Sequence, residues 1–184
     1  IVLPIAGQTL LSRKWIEGQT VDGGEVYRLN GNEVDPGMMK EAIAENSDDD
    51  ISIITSDREM IAQIPGVGEI MLNYIPKGWK NGEYKYSRMD GTQFYAETYY
   101  SKQNQKDIRY RSVSFENMDS VSNEIQQDAA GIEKRINEVN VYFTNNNEVA
   151  VATWNIDLSN YTLFAPVSEE EMQKMIESIK EVNK

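Results

Sequence analysis

The sequence predicts an α+β protein in which a mainly antiparallel β-sheet is packed by one C-terminal amphipathic helix. Two observations support this prediction. Over residues 139–164, apolar or aromatic residues alternate with polar ones, and this period of two is typical of β-strands. From Ser168 onward, apolar residues instead recur at the spacing of an α-helix. A smaller mixed α/β segment is predicted ahead of the sheet.

The C-terminal helix is predicted from its cap and from its apolar stripe. Ser168 and Glu171 have the spacing of a capping box, in which the serine oxygen accepts a hydrogen bond from the Glu171 N–H and the glutamate accepts one from the Ser168 N–H. Pro166 prevents the helix from beginning earlier. The side chains that we expect this helix to bury on the sheet are Met172, Met175, Ile176, Ile179 and Val182.

Three strands are expected ahead of this helix, and turns rich in asparagine and aspartate separate them. They cover residues 139–143, 149–154 and 161–164. Trp154, in the second strand, has two interpretations: a platform for a ligand, or an anchor of the hydrophobic core. The second interpretation is favoured because a tryptophan in an alternating strand usually serves packing.

The N-terminal segment, residues 1–66, is predicted to be mixed α/β, and Pro65-Gly66-Val67-Gly68 is the best candidate for a hinge after it. Glycine, proline and capping residues delimit its elements. The elements expected are a hairpin around Asn30-Gly31, a helix that begins at Asp35-Pro36, a strand over residues 51–54 and a short helix capped by Ser56.

Three further stretches leave alternatives open. The apolar residues 1–11 are either the trailing edge of a membrane anchor or an N-terminal element packed on the core. Asp48-Asp49-Asp50 is either a calcium ligand set or a solvated acidic loop, and the loop is favoured because the glycine and the spacing of an EF-hand are missing. Residues 118–131 are compatible with a helix or a loop.

Residues 67–184 are predicted to form the sheet domain, with about six or seven strands of ordinary length. A strand is expected over residues 70–74, a hairpin around Asp90-Gly91, and a further strand over residues 108–113. Aromatic residues fall on both faces of the strand that follows Gly91. One of these faces is therefore expected to be core, and the other a tyrosine-rich surface exposed to solvent.

Tyrosine and arginine on an exposed sheet face are typical of a contact surface for a protein or a glycan. The alternative is that these residues pair across strands and only stabilise the sheet. On the first interpretation, the residues that we predict to bind a ligand or partner are Trp79, Tyr95, Tyr99, Arg109 and Arg111.

The composition excludes several classes of site. The chain has no cysteine and no histidine, so it has no disulfide, no thiol nucleophile, no Ser-His-Asp triad and no imidazole ligand for a metal. Its net charge of −12 argues against nucleic acid and against anionic membrane surfaces as partners. No nucleotide-binding glycine motif is present. We therefore predict no catalytic residue, no metal and no cofactor.

Several motifs together resemble the domain of unknown function (DUF) 4367 family. They are Tyr74-Ile75-Pro76-Lys77-Gly78-Trp79, a tyrosine-rich hairpin, Thr153-Trp154, Tyr161-Thr162-Leu163 and Ser168-Glu169-Glu170-Glu171-Met172. The resemblance covers roughly residues 69–182. The matching positions are Pro76, Gly78, Trp79, Trp154, Tyr161 and Ser168.

This resemblance implies a compartment and a class of function. Members of the family are typically extracytoplasmic C-terminal domains of membrane-anchored Gram-positive proteins, some of them similar to anti-sigma proteins. We therefore expect a non-enzymatic sensor or interaction domain on the extracytoplasmic face, tethered by a membrane helix upstream of Ile1. Its partner would be an envelope protein or a cell-wall fragment. The alternatives are a cell-wall glycan hydrolase that depends on two carboxylates, and a purely structural envelope module.

Overall fold

A computed structural model describes residues 14–21, 24–29, 32–35, 51–101, 106–116, 131–146 and 149–184. Most of these residues belong to β-strands. The strands are β1 (Lys14–Val21), β2 (Gly24–Leu29), β3 (Asn32–Val34), β4 (Ile51–Thr55), β5 (Trp79–Met89), β6 (Thr92–Ser101), β7 (Ile108–Phe115), β8 (Ile132–Ile136), β9 (Val139–Asn146), β10 (Val149–Ile156) and β11 (Ser159–Ala165).

The described strands form one predominantly antiparallel sheet. Its order is β3-β2-β1-β4-β5-β6-β7-β11-β10-β9-β8, and the pair β1–β4 is parallel while the other pairs are antiparallel. β4 belongs to the predicted N-terminal segment, yet it pairs with β5. Hydrogen bonding therefore continues across the boundary predicted at residue 66, and the division into two domains stays a prediction.

Three α-helices and a short 3-10 helix are described. They are α1 (Arg58–Ile61), α2 (Val67–Ile70), α3 (Glu169–Glu177) and the 3-10 helix Glu181–Asn183. We call the sheet face that carries the buried side chains Tyr84, Tyr110, Trp154 and Tyr161 the covered face, and the opposite side the open face. Among the described residues, no helix is long and apolar enough to cross a membrane.

Stacked aromatic rings form the centre of the core on the covered face. The Trp154 ring stacks on Tyr161, with centroids 5.3 Å apart, and on Tyr110 at 6.2 Å. Trp154 is 1% exposed, which confirms that it is a core anchor. The five apolar side chains predicted for the C-terminal helix are all buried: Met172, Met175, Ile176, Ile179 and Val182. Only the first three lie on α3, which ends at Glu177; Ile179 follows it, and Val182 lies in the 3-10 helix.

The predicted capping box is half present. Ser168 Oγ accepts a hydrogen bond from the Glu171 N–H at 3.3 Å, as expected. The Glu171 carboxylate, however, accepts from the Tyr74 hydroxyl at 2.5 Å and from Lys174 Nζ at 2.9 Å, not from the Ser168 N–H. Stronger donors thus engage the glutamate, and the helix start is tied to the segment that precedes β5.

The N-terminal predictions have mixed outcomes. β2 and β3 pair as a hairpin around Asn30-Gly31, and β4 occupies the predicted strand. The cap of α1 is Asp57 and not Ser56, because Asp57 Oδ1 accepts from the Glu59 N–H at 2.9 Å and from the Met60 N–H at 3.1 Å. Several predicted features lie outside the described residues: residues 1–11, Asn30-Gly31 itself, the helix from Pro36 onward, Asp48-Asp49-Asp50 and residues 118–130.

The strand predicted over residues 70–74 is wrong. α2 ends at Ile70, and the chain then runs to β5 without regular structure. Side chains bind the backbone here in place of a neighbouring strand: the Leu72 N–H donates to Glu97 Oε1 at 2.8 Å, and the Asn73 N–H donates to Ser178 Oγ at 3.0 Å. The alternating apolar pattern therefore did not indicate strand pairing; of its residues, Leu72 is buried, and Ile70 and Tyr74 are partly buried against the core.

In the rest of the sheet, one predicted hairpin is present and one strand was not predicted. The hairpin around Asp90-Gly91 is confirmed, and both residues have positive φ (48° and 71°), which the tight turn requires. β8 was not predicted. Only Ile136 in it is buried, so its sequence carries no alternating signal and its strand conformation follows from pairing with β9.

Replacing Trp154 with alanine is expected to lower the free energy of unfolding by about 3–5 kcal/mol, because it removes the centre of a stacked, buried cluster. Urea denaturation followed by far-UV circular dichroism measures this change. The control is Tyr142→Ala, on the open side of the adjacent β9, where the ring is 38% exposed and the expected loss is under about 1 kcal/mol. Equal losses in the two variants would contradict the core assignment.

Candidate functional site

The described residues line a groove of about 750 Å³ on the open face of the sheet. Apolar side chains from the central strands form its floor: Phe94, Ala96, Val149, Val151 and Phe164. Cations line it as well: Lys85, Lys106, Arg109 and Arg111. An apolar hollow with a few polar groups is the usual form of a small-molecule site.

The strand register explains how the groove is assembled. Lys85 on β5 and Arg111 on β7 are the two cross-strand partners of Ala96 on β6, so a small side chain lies between two long cationic ones. One row further along, Arg109 faces Phe164 on β11, and Phe164 faces Val151 on β10. Residues of a row share one side of the sheet, which places charge towards β5 and β7 and apolar surface towards β10 and β11.

The cations differ in their acidic partners. Lys85 Nζ lies 2.8 Å from Glu83 Oε1, and Arg109 lies 3.4 Å from Asp107. Arg111 is exposed and makes no ion pair with any described residue; its guanidinium carbon lies 5.7 Å from the centroid of the Phe164 ring. In a chain of net charge −12, an arginine without an acidic partner in an apolar groove is available to an external anion.

The predicted contact set is divided by the structure. Arg109 and Arg111 line the groove. Tyr95 and Tyr99 are buried on the covered face, with 1% and 3% exposure, so the prediction that they contact a partner is corrected. Trp79 begins β5, is partly buried against the core and does not line the groove. Both faces of β6 carry aromatic residues, and the sequence pattern alone favoured the wrong face.

Tyr99 instead belongs to a buried polar cluster around Glu97. The Glu97 carboxylate is completely buried and accepts hydrogen bonds from the Tyr99 hydroxyl and from the Leu72 N–H. Arg58 donates to the Leu72 carbonyl at 2.9 Å and lies near enough for its charge to favour the carboxylate. Nevertheless, burial raises the pKa of Glu97 to about 7. The hydrogen bond between Glu97 and the Leu72 N–H holds the segment before β5 against the sheet.

The hydroxyl of the neighbouring Tyr95 is not part of the hydrogen-bonded cluster around Glu97. It is buried and forms no hydrogen bond with any described residue. Burial, followed by the neighbouring Glu97 carboxylate, raises the pKa of Tyr95, so the hydroxyl stays protonated. Tyr95 therefore packs as an aromatic core residue, edge-on to Tyr110 at 6.3 Å.

One protein-family model matches the chain, and it covers residues 69–179. Its description is "Domain of unknown function (DUF4367)". The chain belongs to this family. The match confirms the predicted resemblance, and it includes every groove residue from Lys85 to Phe164 together with α3. Searches of the curated proteins and of the solved structures return no match.

Several groove residues of this DUF4367 domain were not predicted. Lys85, Ala96, Val151 and Phe164 come from four strands and become neighbours only through the register. Their types are ordinary for solvent-facing strand positions, so no local motif marks them. The spacing of Arg109 and Arg111 was the sequence signal that could have located the groove, because residues two apart on a strand lie on the same face of the sheet.

The groove gives the hydrolase alternative no support. Its acidic lining residues are Asp107 and Glu97. Asp107 is paired with Arg109, and the Glu97 carboxylate is bonded on the covered face, so the described lining presents one accessible carboxylate where the glycosidase mechanism needs two. In the described part of the chain, no group of three or more acidic side chains is placed to hold a metal ion.

The buried Glu97 predicts a stability that depends on pH. Its folded pKa of about 7 lies above its ordinary value of 4.5, so the folded state binds the proton more tightly between these values. This contribution is fully present below about pH 4.5 and is lost as the pH rises through 7. The loss is on the order of 3 kcal/mol, from 1.36 kcal/mol per pKa unit.

Urea denaturation at several pH values between 5 and 8.5 tests this expectation. Glu97→Gln cannot titrate, so the unfolding free energy of this variant should fall less with rising pH than that of the unmodified protein. The control is Glu83→Gln, which removes a partly exposed carboxylate on the open side and should keep the original slope. A slope that is the same with and without the Glu97 carboxylate would contradict the buried, raised-pKa assignment.

Proposed function

We propose that this DUF4367 domain is a non-enzymatic binding domain, and that its open groove binds an anionic group of an envelope partner or a cell-wall fragment. Placement outside the cytoplasmic membrane belongs to the same proposal. The family resemblance supports that compartment, and the absence of cysteine is compatible with it. A sensor role, as in anti-sigma proteins, is the form of binding function that the resemblance suggests.

The proposal rests on Arg111, which forms no ion pair with any residue that the structure describes and lies over the Phe164 ring in the apolar floor of the groove. A guanidinium donates several hydrogen bonds in a planar array and suits carboxylates and phosphates. Arg109 lies two residues before Arg111 on β7, and Lys85 lies across β6 from Arg111; both line the groove and are also paired with acidic residues, Asp107 and Glu83. An anion that enters the groove can accept hydrogen bonds from these cations, whose strands are held at a fixed spacing by the sheet.

The same side chains favour binding over catalysis. Guanidinium and ammonium groups are hydrogen-bond donors without an acceptor, which suits the recognition of anions. The accessible carboxylate of Asp107 is already engaged by Arg109. The groove thus offers anion recognition and an apolar surface, which are the parts of a binding site.

Arg111→Ala is expected to weaken binding of acidic cell-wall fragments, released from purified walls by a muramidase, by at least about tenfold, which corresponds to the loss of one charge-assisted contact. Isothermal titration calorimetry at low salt measures this affinity. The folded state should be unaffected, because Arg111 is exposed; a change in unfolding free energy within about 0.5 kcal/mol is expected.

The matched control is Arg135→Ala. Arg135 is an exposed arginine on β8, outside the groove and paired with Glu138, so its loss removes the same charge without touching the site. Binding that responds equally to both substitutions would reflect overall charge and would contradict the groove. An unmodified protein that binds no anionic fragment saturably would support a purely structural module.

A further inference from the structure

The groove is polarised from one side to the other, and this arrangement selects a ligand class. Cations stand on and beside β5 and β7, whereas Val149, Val151 and Phe164 stand on β10 and β11. From β7 to β10 the sheet advances two strand spacings, or about 10 Å. A polyanion would place some of its charges against the apolar side of the groove. A neutral apolar molecule would give Arg111 no anionic partner.

We propose that the groove binds a small amphiphilic anion, a monomer with one carboxylate or phosphate joined to an acyl or aryl body. This inference rests on the proposed function and names its ligand. The volume of about 750 Å³ lies within the usual range for small-molecule sites, roughly 300–1,000 Å³. A protein partner of standard size would instead cover about 800 Å² of one surface, much of it flat.

The anionic head lies in the gap above Ala96. Lys85 and Arg111 are the register partners of Ala96 on the two sides, so the strands that carry them lie about 10 Å apart with only a methyl group between them. An alanine leaves this gap unfilled, and a larger side chain would close it. Arg111, whose guanidinium lies over Phe164, then donates to the head from the β11 side, and Lys85 donates from the β5 side.

The apolar body lies along Phe164 and Val151. Phe164 is half-buried and already packs under the Arg111 guanidinium, so a ligand that carries charge and apolar surface continues a contact that the protein makes internally. Burying apolar area contributes roughly 25 cal/mol per Å², which for a medium-length chain exceeds a single exposed ion pair. Both parts of the ligand therefore contribute to affinity.

The test uses octyl phosphate below its micelle concentration as the probe, with octanol and inorganic phosphate as its two halves. Isothermal titration calorimetry should show saturable binding of octyl phosphate at least tenfold tighter than either half. Arg111→Gln should lose about tenfold for octyl phosphate and leave octanol binding unchanged. Ala96→Leu should lose octyl phosphate binding, whereas Thr153→Leu, on the same face but outside the groove lining, should retain it.

A structural readout locates the ligand independently of affinity. Intermolecular nuclear Overhauser effects are expected between the octyl methylenes and the Val149 and Val151 methyl groups. Equal affinities for octyl phosphate and octanol, equal affinities for octyl phosphate and phosphate, or octyl phosphate binding that survives Arg111→Gln would each overturn the proposal. Binding to anionic vesicles without binding of the monomer would overturn it as well, in favour of a membrane surface.

Failure of this inference and failure of the proposed function are distinguishable. If acidic wall fragments bind in an Arg111-dependent way and octyl phosphate does not, the groove is an anion site with a polar ligand and only the amphiphile is rejected. If neither probe binds saturably, the binding function itself is rejected. If octyl phosphate alone binds with the expected dependence, the ligand class is confirmed.

Discussion

Side chains alternate between the two faces of the sheet along β6, and this alternation positions both the core and the groove. Tyr95, Glu97 and Tyr99 point to the covered face, and Phe94, Ala96 and Thr98 point to the open face. A slip of one residue in its pairing with β5 and β7 would exchange the two sets and place a groove floor in the core. The core and the groove are therefore two sides of one register.

On the covered face, aromatic packing and a few buried polar groups stabilise the fold. The stack of Trp154 with Tyr110 and Tyr161 supplies apolar burial next to α3. Glu97 and Ser178 satisfy backbone groups of the segment before β5, which has no strand partner of its own. These hydrogen bonds explain why the alternating apolar sequence between α2 and β5 does not form a strand: its backbone groups are satisfied by side chains and not by a neighbouring strand.

The charged residues that line the groove on the open face are mainly positive, although the chain as a whole is negatively charged. The protein carries a net charge of −12, yet Arg111 and its neighbours collect positive charge over apolar residues. These side chains are exposed and contribute little to folding, which agrees with the proposed binding function. The covered face and the proposed binding face lie on opposite sides of the sheet, so we expect that they can be altered independently by substitution, within the additivity expected of distant sites.

Sequence patterns were enough to predict a mainly antiparallel sheet, the Ser168 cap and the buried methionines of α3, the core role of Trp154 and the absence of histidine and cysteine chemistry. These are local properties, since periodicity, capping and composition act within a few residues. Which face of β6 is buried depends instead on long-range packing, and it is the face of Tyr95 and Tyr99, which were predicted to lie on the surface. The tertiary structure also joined Lys85, Ala96, Arg111 and Phe164 into one groove, because strands distant in sequence become neighbours only through their pairing and register.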